Sequence, residues 1–351
     1  MLRYILKRLI LAAFTMIAVS FLAFMIMQAP PGDYVDYLFS FCNPEAAGRG
    51  MMHAGLAQAG VAMTDCTSAE EIQLVREVLG YHHPMLIQYW NWITPIIFRF
   101  DFGISARPGV GVWGPASEYI LEALPPTIYL TLLTILITWT LAIPIGIYSA
   151  VRQHSVGDYI FTFLGFTGLA VPDFLLALVV MYLLFAYFDM SVGDLHSGPY
   201  ETAPWSVGKV IDMIQHLLVP AAVLGTAGTA ALIRILRNNL LDELSKPYVV
   251  TAQAKGMSIW KVVFKYPLKV AINPFISSIG FIIPALISGS VILSVAMGLP
   301  TLGLSLLNAI RDENIFLAAD ITLILGFITV VGMFISDILL VMVDPRIKLS
   351  D

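Results

Sequence analysis

Apolar residues run along this chain in long blocks, separated by short polar stretches and one long one. A helix needs roughly 20 predominantly apolar residues to cross a hydrocarbon core about 30 Å thick. Leu9 to Met27 meets that requirement without a charge, behind Arg3, Lys7 and Arg8. Thr127 to Val151 follows, then Tyr159 to Phe188, interrupted by Asp173 alone. Leu217 to Ile233 is short for a span and rich in Gly and Ala. Its Gly225, Ala227 and Gly228 suit close helix packing in lipid, where backbones must approach to gain contact. Val270 to Ile310 has no charge and is too long for one crossing. Pro300 and Gly303 therefore predict a fifth helix ending near Met297, followed by a short re-entrant or interfacial piece. Asp320 to Val343 supplies the sixth span.

Between the first two spans, Pro30 to Pro126 is too long for a turn and reads as an elaborated cap. Asn43 to Thr64 has no clear periodicity and reads as an insertion. Thr67 or Ser68 then stands before Glu70 and Glu71 at capping-box spacing, and Ile72, Val75, Val78 and Leu79 form a helical stripe up to Gly80. Tyr89, Trp90, Trp92 and Ile93 to Phe102 are aromatic enough to lie at a membrane interface. No internal repeat is evident.

Composition agrees with the bilayer. Hydrophobic residues make up 58% and charged residues 12%, against about 25% charged in soluble domains. A net charge of −5 gives no reason to expect a nucleic-acid partner. The placement of Lys and Arg is more telling than their sum. With the N-terminus inside, the inner side collects Arg3, Lys7, Arg8, Arg152, the seven basic residues from Arg234 to Lys269, Arg346 and Lys348, which is thirteen of nineteen. Arg49, Arg76, Arg99, Arg107, Lys209 and Arg311 remain outside. Both termini are therefore expected in the cytoplasm, and the fold class is an all-α membrane protein with six transmembrane helices and a large external segment after the first. Cys42 and Cys66 share that segment and can be a disulfide or two unpaired thiols. The first span reads as an uncleaved anchor, being long for a signal peptide and lacking an A-x-A site.

The segment joining the fourth and fifth spans, Leu236 to Pro274, is basic and predicts two short helices at an angle. Ser245 can cap the first, Pro247 fits its opening turn, and Gly256 can take the left-handed conformation that ends it. Ser258 can cap the second, which carries Trp260, Val262, Val263 and Phe264. Such a bracket reads either as a stop-transfer loop held by anionic lipid or as a docking element for a cytoplasmic partner.

Here YVVTAQAKGMSIWKVVFKYPLKVAINP resembles the coupling loop of binding-protein-dependent ABC importers, in the form found in dipeptide and oligopeptide permeases of the DppB/OppB type. The likeness extends to MLRYILKRL, APPGD at Ala29 to Asp33, RFDFGIS at Arg99 to Ser105, GLPTLG at Gly298 to Gly303 and the terminal SDILLVMVDPRIKL. Val250, Thr251 and Ala252 stand where the general importer pattern has Glu-Ala-Ala, and the peptide subgroup commonly has Thr-Ala there. Gln253 replaces a usual basic residue, Ser294 a frequent Glu, and Thr301 a common Gly.

The resemblance implies a type I ABC importer permease in the bacterial inner membrane. Its implied organisation is an N-terminal transmembrane helix over 1–29, an external segment with interfacial helices over 30–126, a permease core of five transmembrane helices over 127–344 with the coupling loop at 240–269, and a cytoplasmic tail at 345–351. It implies membrane lipid, a second homologous permease, two cytoplasmic ATPases and an external solute-binding protein as partners. Peptides are the default solute, with oligosaccharides, opines, glutathione and nickel carried by other relatives. Tyr248, Thr251, Ala252, Ala254, Lys255, Gly256 and Trp260 are its ATPase-coupling residues, and Ser294 is a translocation-pathway candidate. No cofactor is expected on this chain, and ATP and Mg are used by partner subunits. Consistently, the sequence lacks a G-x-x-x-x-G-K-[ST] loop, Gly208-Lys209 having neither the earlier glycine nor the following hydroxyl.

Asp173 lies near the middle of the third span, where an ionised carboxylate costs about 3 kcal/mol and must face protein or water, so it reads either as a pathway residue contacting a cationic or hydroxyl-rich solute or as a carboxylate capping the backbone freed by Pro172. Asp337 and Asp344 read as structural, Asp320 as solvated, and His82-His83 as a poor metal pair because adjacent residues do not easily face one ion. A secondary transporter would show internal symmetry or paired broken helices, and a membrane enzyme a catalytic motif. The sequence gives no sign of either.

Overall fold

The structure, a computed structural model, describes residues 2–29, 35, 69–78, 80–106, 113–189, 193, 195–201, 203–204 and 206–343. The expectations for Asn43 to Thr64, the cysteines, the Thr67 or Ser68 cap, most of APPGD and Asp344 to Arg346 lie outside the described residues. In chain order the elements begin with α1 (Leu2–Gln28), α2 (Ala69–Val78) and α3 (Met85–Arg99). A short hairpin of β1 (Ile104–Ala106) and β2 (Trp113–Pro115) leads into α4 (Ala116–Val151), α5 (Val156–Ala170), α6 (Asp173–Phe188) and α7 (Gly198–Glu201). Then come α8 (Val207–Leu244), α9 (Pro247–Ala254), α10 (Ile259–Lys265), α11 (Pro267–Ala271), α12 (Asn273–Met297), α13 (Leu302–Arg311) and α14 (Ile315–Val343).

Among the described residues, four helices, α1, α4, α8 and α14, are long and apolar enough to cross a membrane, and there are up to six spans if two bent pairs each count as one. The third expected span is not continuous. Its halves, α5 and α6, are bent by 105°. The ring of Pro172 disfavours helical geometry at the residue before it, and Val171 is accordingly extended at φ −91°, ψ 124°. Asp173 therefore stands in the first turn of α6 rather than mid-span. The fourth span is longer than its apolar stretch suggests, since α8 has 38 residues and runs through Pro220 into the polar segments on both sides. Hydropathy registers the apolar middle, whereas the helix continues wherever backbone bonds and caps allow.

The chain divides into two compact units. The first comprises Met1–Ala12, Pro126–Leu299 and Ile328–Asp351. There α8 is the central element, packed by α5, α6 and α12. Leu130, Ala177, Met213, Leu217, Leu293 and Met297 make one core, and Ala142, Ile147, Leu236, Leu240, Val263 and Phe275 another. The small residues of α8 act as expected. A Cβ on Gly225 would lie 2.9 Å from Thr138 Oγ1 on α4, and that hydroxyl donates to the Gly225 carbonyl at 3.4 Å. Gly298 ends α12 in the left-handed region at φ 66°.

The second unit comprises Ala13–Pro125 and Pro300–Phe327. The helix anticipated from Ile72 to Gly80 is α2, and the aromatic run forms α3. One face of α3 is buried instead of lying wholly at an interface: Tyr89 and Trp92 pack on Phe24, and Tyr89 shares a 2.7 Å hydrogen bond with Ser20. Trp90 and Phe98 remain exposed. The piece after Pro300 is α13, whose Thr301 side chain accepts from the Leu304 N–H at 3.3 Å. Asn314 accepts from the Leu317 N–H at the start of α14 and donates to Ser105 Oγ on β1 at 2.7 Å.

Candidate functional site

The bracket after α8 is built by local stereochemistry. Ser245 does not cap α9; it closes α8, its hydroxyl donating to the Asp242 carbonyl at 2.8 Å. Pro247 opens α9 and holds Lys246 extended at ψ 146°, so Lys246 occupies the cap position. Gly256 follows with φ 81°, and a Cβ added there would meet nothing within 4 Å, so its requirement is conformational and not steric. Ser258 takes the cap position of α10, though its side chain makes no capping bond.

Burial then divides the bracket into two faces. Val249, Ala252 and Val262 form a small core with Leu244 and Met257, which pins α9 to α10. Tyr248, Thr251, Ala254, Lys255, Gly256 and Trp260 are exposed, whereas Ala252 faces the core. Val250, which is not among the coupling residues the resemblance implies, is an exposed apolar residue on the same helix. The Tyr248 hydroxyl donates to Glu243, and burial together with that carboxylate pushes its pKa up to about 12. Tyr248 is thus a neutral hydrogen-bonding group at any physiological pH.

The two pathway candidates occupy different environments. Asp173 is half-buried, and among the described residues its carboxylate makes no hydrogen bond, so the backbone-capping reading finds no bond to support it. Ser294 is fully buried in α12, where its carbonyl accepts from the Gly298 and Leu299 N–H groups. Their helices, α6 and α12, pack against each other.

Four acids find partners that the linear pattern did not reveal. Asp158 accepts from Arg237 Nε at 3.1 Å and Nη2 at 3.0 Å, and from the His154 N–H at 2.9 Å, tying the start of α5 to the C-terminal half of α8. Asp212 accepts from the Ser197 N–H and hydroxyl at 2.9 and 2.6 Å, with His196 Nδ1 at 3.4 Å. Asp337 pairs with Arg8 at 3.2 Å, in keeping with a structural role. Asp320, expected to be solvated, is instead 3% exposed and accepts from the Trp92 indole at 3.1 Å. Among the described residues, His82 and His83 belong to no cluster able to hold a metal; their rings lie 3.8 Å apart.

Residues 142–349 match the family model described as "Binding-protein-dependent transport system inner membrane component". The chain is 34% identical over 346 residues to the oligopeptide transport system permease protein AppB of Bacillus subtilis (strain 168), covering 98% of this chain and 99% of that one. It is 27% identical to the dipeptide transport system permease protein DppB of Escherichia coli (strain K12), covering 99% of each. It is 29% identical to the glutathione transport system permease protein GsiC of Salmonella typhi, again covering 99% of each. The chain therefore belongs to the family of binding-protein-dependent transport system inner membrane components, as a multi-pass inner-membrane permease subunit of an ATP-driven importer with no ATPase site of its own.

Proposed function

We propose that this subunit forms half of a translocation pathway for peptides or similar small solutes, opposite a second homologous permease. The family works with ATPase and solute-binding partners; the proposed stoichiometry is two cytoplasmic ATPases, which bind the ATP and Mg, and one external binding protein. Both termini and the bracket face the cytoplasm in this reading, which the concentration of Lys and Arg supports. The exposed face from Tyr248 to Trp260 seats in a groove on one ATPase. Closure of the ATPase pair moves the bracket as a unit, because Val249, Ala252 and Val262 lock α9 to α10. The attached helix α8 transmits that movement and shifts the permease between inward-facing and outward-facing states.

The observation that carries this reading is the two-faced bracket, with an apolar core inside and a contiguous exposed face at the end of a 38-residue helix. Peptides are favoured because AppB and DppB are named for oligopeptide and dipeptide transport. The departures at Ser294 and Thr301 do not count against peptides, since Ser294 is buried and Thr301 caps α13. Asp173, half-buried at the break between α5 and α6, is the proposed pathway residue on this chain.

Reconstitution with the partner subunits tests the coupling role. Gly256→Asp places a side chain at φ 81° and a carboxylate on the docking face. The variant should assemble in the membrane yet lose the stimulation of ATP hydrolysis by solute-loaded binding protein. Full stimulation in the variant would remove Gly256 from the mechanism. Uptake of a labelled dipeptide, competed by unlabelled peptide and not by an oligosaccharide, is the outcome expected for the solute.

A further inference from the structure

Between α5 and the C-terminal half of α8 lies a groove of about 420 Å³ that the proposed transport cycle does not use. Phe161 and Leu169 on α5 and Ile233 on α8 give it apolar lining, and a Cβ added to Gly165 would lie 3.5 Å from Ala230 Cβ, so the two helices approach closely there. One end is basic. Arg237 is neutralised by Asp158. Arg234 is not: its guanidinium carbon lies 5.2 Å from the Phe166 ring centroid, and among the described residues it has no carboxylate partner. Asn238, four residues further along α8, shares that face and also lines the groove. The arrangement combines a guanidinium held over an aromatic ring, an amide one helical turn further along α8, and apolar lining from both helices. Guanidinium groups bind phosphate oxygens through charge-assisted hydrogen bonds, and basic pockets between membrane helices bind anionic headgroups.

We propose that this groove holds an anionic phospholipid, its phosphate against Arg234 and Asn238 and one acyl chain along the apolar lining beside Gly165 and Ala230. The apolar lining selects a lipid over a free phosphate ion. The lipid belongs to the inner leaflet, an assignment that rests on the orientation proposed above; the site itself does not depend on it.

The assembled complex, carried through detergent exchange and analysed by native mass spectrometry, tests the proposal. Wild type should retain phosphatidylglycerol through washes that strip phosphatidylcholine, and millimolar inorganic phosphate should not displace it. Arg234→Gln should lower retention about fivefold, as expected for one surface arginine near an anionic headgroup, while Arg234→Lys should keep most of it. Equal retention of the two lipids by wild type would overturn the proposal even if Arg234→Gln failed to assemble. So would unchanged retention in Arg234→Gln, or a photo-crosslink from the position of Thr162, which lines the groove, that reached the second permease in place of lipid. Retention is read without transport, so it stands or falls separately from the solute and the coupling mechanism.

Discussion

Asp158 and Asp320 are almost equally inaccessible, at 2% and 3% exposed, yet their surroundings differ in kind. Asp158, in the first unit, meets a guanidinium through two bonds and a backbone N–H through a third. Asp320, in the second, receives one hydrogen bond from a neutral indole in a cavity walled by Phe24, Phe102 and Phe316. The first arrangement is a charged clamp between two helices, α5 and α8. The second is a single neutral-donor bond, which positions α3 against α14 without a full charge on the donor. Burial alone therefore does not say what an acid does; the chemistry of its donors does.

Removing one side of each contact separates the two cases. Asp158→Ala leaves the partly buried Arg237 without its carboxylate, and breaking such a pair costs about 3 kcal/mol. The expected result is a marked fall in the thermal stability of the purified complex, largely relieved when Arg237→Met is added. Trp92→Phe removes only the indole donor and should cost about 1–2 kcal/mol, seen as a smaller loss in the same melt. If Trp92→Phe proved as damaging as Asp158→Ala, the contrast between the two acids would fail. Asp337→Asn probes a pair whose side chains are 43% and 26% exposed, so its cost should stay below about 1 kcal/mol.

The smallest effect concerns His196. Burial holds its pKa below the ordinary 6.5, with Asp212 opposing and Lys209 and His216 reinforcing the shift. The fold thus favours the neutral imidazole. Its contribution is complete above the unfolded value of 6.5 and is lost as pH falls through the folded one. Melting curves from pH 7.5 down to 5.5 should show a slight destabilisation that His196→Gln lacks.

Legibility follows sequence separation. The bracket is readable because its determinants are adjacent: Pro247 constrains Lys246, Gly256 adopts the left-handed region, and Ser258 precedes α10. Even so, Ser245 belongs to the helix before it and not the one after, because a serine between two helices can serve either and Pro247 moves the cap position onto Lys246. The break at Val171 and Pro172 is hidden inside an apolar run, where hydropathy counts residues and not their backbone geometry. The partners of Asp158 and Asp320 lie 79 and 228 residues away, beyond any local pattern.

By itself, the order of apolar and basic residues determined that this chain inhabits a membrane, and its motifs placed it among importer permeases. Those properties depend on solvation and on short-range backbone preferences, which each segment carries alone. Tertiary structure decided the rest: which face of the bracket is exposed, and which buried acid meets a cation. Each of these depends on two segments approaching within a few ångströms, and no single segment contains that information.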